Sequence, residues 1–111
     1  MDILSVLNKY RIEECDDHLG MYRYKLNVND KFYASIIAGQ GAYSNPRKKL
    51  HDFSHYSEYE VAFFDMDNNW LRIVDEEEFF YERFEFTDVM GNLAPFEIDE
   101  LITKLDKNWK G

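Results

Sequence analysis

The chain has 111 residues, of which 45% are hydrophobic and 17% aromatic, with a formal net charge of −9. That length suits one domain spanning residues 1–111, and the aromatic share excludes the disordered class, whose chains cannot bury enough apolar surface to fold. Cys15 is the sole cysteine, so no intrachain disulfide can form and a reduced, cytoplasmic setting is expected.

The opening Met1 to Leu7 lacks a basic stretch followed by a long apolar run, and no apolar segment approaches the ~18 residues of a membrane span, so neither export nor membrane insertion is expected. Ile3, Leu4, Leu7 and Tyr10 lie at near-helical spacing behind Asp2, a residue suited to capping, which predicts a short helix over 3–10. From Met21 the period changes to two. Tyr22, Tyr24, Leu26 and Val28 share one face and Arg23, Lys25 and Asn27 the other, as in a half-buried strand. Asn29-Asp30 tolerates left-handed turn geometry, and Lys31 to Ala38 completes a hairpin.

Two glycines, Ser, Asn and Pro break the pattern from Gly39 to Pro46, and the irregular stretch runs on through Arg47-Lys48-Lys49 to Ser57. Alternation returns over Glu58 to Asp65, with Tyr59, Val61 and Phe63 on one face, and Trp70 to Val74 is its hairpin partner across Met66 to Asn69. Residues 75–86 fit either a helix or a strand by period, and extended structure is expected over Phe79 to Phe86. Pro95 opens a final helix whose Ile98, Leu101, Ile102 and Leu105 form an i, i+3, i+4, i+7 stripe, with Lys104, Lys107 and Lys110 at its end. The expected fold is therefore α+β: an antiparallel sheet of four to five strands with an N-terminal and a C-terminal helix on one face.

Few residues point to chemistry. Cys15, His18, His51 and His55 stand as Cys-x-x-His and His-x-x-x-His, a donor set that can hold zinc, although structural zinc sites ordinarily use more than one cysteine. Asp65, Asp67, Asn69 and Glu76 match positions 1, 3, 5 and 12 of an EF-hand loop, but Trp70 occupies the position that requires glycine, so a hairpin turn is the better reading. Gly39-Gln-Gly41 lacks the rest of a phosphate-loop fingerprint and reads as a tight strand end, with Tyr43 and the cations behind it as a contact surface. Neither a nucleophile with its base nor a carboxylate pair tuned apart is legible, so neither an enzyme nor a cofactor is expected.

Charge is the sharper signal. Residues 75–100 hold ten acids against the one cation Arg83, while the rest of the chain is balanced. Carboxylates spaced along a rigid strand can imitate the phosphates of DNA, one negative charge per about 1.7 Å of axis, and so occupy a nucleic-acid-binding cleft. Asp75, Glu76, Glu77, Glu78, Glu82 and Glu85 would supply the charge, Phe79 and Tyr81 the aromatic anchors, and Tyr43 a supporting contact. Such a surface repels nucleic acid itself. The expected partner is a basic protein surface, and homodimerisation through aromatic edge strands is a further reading.

Three segments, Ser35 to Arg47, Tyr59 to Asp65 and Val89 to Leu101, together resemble the small acidic proteins encoded by phages and prophages of Gram-positive bacteria. The resemblance covers roughly residues 20–105. It implies a host cytoplasm and an inhibitor of a host defence system, such as an anti-CRISPR protein acting on a CRISPR nuclease, and it carries no functional residues with it.

Overall fold

The computed structural model describes residues 1–75, 80–84 and 89–110. It is α+β. The chain runs α1 (Ile3–Leu7), β1 (Arg11–His18), β2 (Met21–Val28), β3 (Phe32–Gly39), a 3₁₀ turn (Phe53–His55), β4 (Tyr59–Asp65), β5 (Trp70–Asp75), β6 (Phe80–Phe84), β7 (Met90–Leu93) and α2 (Pro95–Lys107). β1 to β6 lie side by side in chain order as an antiparallel meander, and β7 pairs with β4. The sheet thus has seven strands among the described residues, where four or five were expected.

β1 and β7 account for the difference. Every residue of β1 is exposed, so no one-sided burial imposes a period-two apolar pattern that could mark it. β7 is only four residues long, with Gly91 and Asn92 at its centre. The expected helix over 3–10 is correspondingly shorter, because the chain turns after Leu7 to enter β1.

The two predicted hairpins are present. Asn29 and Asp30 both take positive φ, 53° and 58°, the mirror-image turn that matches strand twist, and Phe32 pairs with Val28. β4 meets β5 at Phe63–Leu71 and Phe64–Trp70. Residues 80–84 are strand, as the extended reading of that segment anticipated.

One face of the sheet carries the core. Leu26, Val28, Phe32, Ala34, Ile36, Tyr59, Val61 and Phe63 are buried against Ile3, Val6 and Leu7 of α1 and Ile98, Ile102 and Leu105 of α2. A five-residue helix is unstable alone, so α1 depends on this burial and on Asp2, whose carboxylate accepts from the Ser5 amide at 3.0 Å. α2 begins at Pro95, and Glu97 reaches back to accept from the Ala94 amide at 3.0 Å.

The irregular segment between β3 and β4 is pinned by tyrosine hydroxyls. Tyr22 donates to the Leu50 carbonyl at 2.5 Å, Tyr56 to Lys48 at 2.6 Å and Tyr59 to Phe53 at 2.5 Å. Phe53 fills the space beneath, with ring centroids 4.5 Å from Tyr24 and 4.9 Å from Tyr59. Among the described residues no helix is long and apolar enough to cross a membrane.

Candidate functional site

The sheet face opposite the helices is set by strand alternation. Leu71 is buried on the core side, so its neighbours Trp70 and Arg72 lie on the opposite face, together with Arg23, Lys25, Tyr33, Ile37 and Phe64 of the preceding strands. Lys25 Nζ sits 4.3 Å from the Tyr33 ring centre and donates to Asn68 Oδ1 at 2.8 Å, and the Phe64 and Trp70 rings are 4.3 Å apart. Ion pairs flank these aromatics. Arg23 bridges Glu14 and Asp16, both at 2.8 Å, and Arg72 pairs with Glu82 across β5 and β6.

Of the acidic stretch, Glu76, Glu77, Glu78, Phe79 and Glu85 lie outside the described residues. Asp75 ends β5 opposite Phe80, Tyr81 stands in register with Ile73, and Glu82 with Arg72. Glu97 is committed to the Ala94 amide, Asp99 to Lys9 at 2.6 Å, and Glu100 to Lys104 at 3.1 Å. The described acids of 75–100 therefore do not all share one side of the molecule. Asp99 belongs to the helical layer and Glu82 to the opposite face of the sheet, and both carry a cationic partner.

That hairpin leaves the sheet early. β4 pairs with β5 only near its end, at Phe63 and Phe64, while its first residues pair with β7 through Tyr59–Leu93 and Val61–Met90. β5 therefore diverges from β4 beyond Leu71, heading toward the end of the sheet where β4 begins. The Tyr43 loop is at that same end. Tyr43 is 49% exposed, its carbonyl accepts from the Asn92 amide at 2.8 Å, and Arg47 stacks over its ring at 4.8 Å. A Cβ at Gly91 would come within 2.7 Å of the Tyr43 Cβ, so glycine there lets the loop lie against β7.

The other motifs resolve into structure. Gly39 has φ of +136°, and a Cβ there would meet the Gly20 carbonyl oxygen at 2.3 Å, which is close backbone approach at a strand end. Three of the amides that follow are already occupied, Gln40 by Gly20, Ala42 by Gly39 and Tyr43 by Glu60, so the run is committed to its own turn rather than to cradling a phosphate. Asp65 accepts from the Asp67 and Asn69 amides at 2.9 Å and from Asn69 Nδ2 at 3.1 Å, so its oxygens hold the β4–β5 turn, as the hairpin reading anticipated.

Cys15 and His18 are three residues apart on β1, which sends them to opposite faces. His51 and His55 are exposed in the pinned loop, where only 53–55 is helical and of the 3₁₀ type, so they do not share a helical face. Among the described residues no three His, Cys, Asp or Glu side chains converge to hold a metal ion. The Cys15 thiol instead faces the Tyr24 hydroxyl. Its hydrogen bond, reinforced by partial burial, pushes the Tyr24 pKa up to about 12.

One feature of this end of the sheet left no signal in the sequence. A cavity of about 610 Å³ opens beside β1, floored by Met21 and Ile37 and bounded by Asp16, Asp17, His18 and Arg23. It forms only once β1 pairs with β2, and β1 carries no amphipathic pattern. The chain matches no protein-family profile, no curated protein and no solved structure.

Proposed function

We propose that this protein is a non-catalytic inhibitor that engages the basic, nucleic-acid-binding surface of another protein through the β5–β6 hairpin, a CRISPR nuclease being the partner class in view. One observation carries the reading. The hairpin meets β4 at only two register pairs before diverging, and residues 75–88 hold seven acids against Arg83. A ribbon with so large an excess of negative charge has the sign for a basic groove, and steers association more than it deepens affinity. The exposed Tyr43, stacked with Arg47 at the same end of the sheet, adds a rigid aromatic contact beside it.

The test is DNA cleavage by purified basic nucleases, a CRISPR nuclease among them, with the protein added before or after DNA. Inhibition is expected when the protein is added first, weakening as NaCl rises from about 0.05 to about 0.5 M and disappearing when Glu76, Glu77 and Glu78 are all changed to Lys. Inhibition that ignores salt, or that survives the triple change, rejects the charge mechanism. Cleavage unaffected in every case rejects the function.

A further inference from the structure

We propose that β1 is a docking edge for an extended basic peptide, which adds to the sheet as a further strand and drops side chains into the cavity over Met21 and Ile37. This inference concerns the edge opposite the acidic hairpin and does not depend on it. β1 pairs with β2 alone among the described residues and all eight of its residues are exposed, so beyond the register shift at Ile12/Glu14 the outward-facing amides and carbonyls of Glu14 to His18, beside the cavity, form an open ladder. Such an edge accepts an extended segment by main-chain hydrogen bonding, while pockets beside it select the side chains.

The pocket is in the right place. Asp16 and His18 of β1 lie on the sheet face opposite the helices with Arg23 of β2, and the cavity of about 610 Å³ is floored by the apolar Met21 and Ile37. Its volume falls within the range of ordinary ligand sites, ~300 to 1,000 Å³, ample for one or two side chains of a strand laid along the edge.

Charge selects the occupant. β1 carries Glu13, Glu14, Asp16 and Asp17 against Arg11. Their present partners are Arg11, Arg23 and Lys49, and these pairs are solvent-exposed. Exposed pairs contribute little, so incoming lysines or arginines can share these carboxylates at small cost. A second copy of the chain is a poor occupant. An antiparallel two-fold pairing of β1 with itself sets Glu14 against Glu14, or Glu14 against Asp16 and Glu13 against Asp17, in its two central registers, and like charges directly opposed destabilise a sheet.

The probe is a capped eight-residue peptide alternating lysine with valine, titrated into the full isotope-labelled chain and followed by amide chemical shifts. Expected are shifts concentrated in residues 11–28 and at Ile37, affinity lowered about tenfold or more by N-methylating alternate peptide amides, and a loss of similar size in Ile37→Lys. The methylated peptide leaves the protein intact, so it decides the matter even if that variant folds poorly. Equal binding by the methylated peptide would mean attraction by charge alone and would overturn the proposal. Shifts confined to β5 and β6 would overturn it too while leaving the hairpin function standing, and a concentration-dependent dimer joined through β1 would replace the peptide with a second copy.

Discussion

Tyr59 shows how much a single atom decides in this protein. Its ring is fully buried, yet its hydroxyl donates to the Phe53 carbonyl and so satisfies a polar group inside the core. Tyr22 does the same for Leu50, so a segment that reads as an irregular loop is anchored at two points by strand residues that alternation places on the core side, and Tyr56 within it closes the loop on Lys48. Burial raises the Tyr59 pKa, and the Cys15 hydrogen bond together with burial holds Tyr24 at about 12. Both folded values lie above the ordinary tyrosine value near 10, so the unfolded chain releases these protons first. Their stabilising contribution is complete below about pH 10 and declines as pH climbs through about 12. Tyrosinate absorbance followed alongside circular dichroism should show late-titrating tyrosines whose ionisation coincides with unfolding. Titration of all eight tyrosines near pH 10 with the fold retained would contradict this.

Among the elements, the β4–β5 hairpin is secured by its turn rather than by long pairing, since only two register pairs join the strands. Asp65 is 6% exposed and accepts three hydrogen bonds from Asp67 and Asn69. Asp65→Ala should lower unfolding stability by roughly 2 kcal/mol in chemical denaturation, because three donors of the turn lose a buried charged acceptor, and Asp65→Asn should recover part of it. A change within about 0.5 kcal/mol would show that the turn does not depend on that carboxylate. The turn was legible in the sequence from Asp, Asn and Asn between two alternating runs, and α2 from its apolar stripe behind Pro95. β1 was not, since an edge strand exposed on both faces leaves the choice of apolar or polar residues unconstrained, and its Glu and Asp residues read as a loop. The same blindness hid the cavity over Met21 and Ile37, which needs β1 as its wall.

At the scale of the whole molecule, the excess of negative charge must repel itself. The described ion pairs are exposed and individually weak, so salt should screen the net −9 more effectively than it loosens them. The melting temperature is expected to rise by a few degrees as NaCl increases from about 0.02 to about 0.3 M, and a fall over that range would mean that the ion pairs dominate.

Composition and period alone determined the α+β class, the β2–β3 and β4–β5 hairpins, the C-terminal helix and the acid-rich stretch, because each is written locally as one-sided burial, turn chemistry or charge. Tertiary structure decided the rest: that β1 and β7 join the sheet, that Glu82 and Asp99 are held by partners, and that the hairpin carrying Asp75 and Tyr81 diverges from β4. The reason is that strand pairing and ion pairing join residues far apart in the chain. Lys9 finds Asp99 only after both helices have packed on the same face of the sheet.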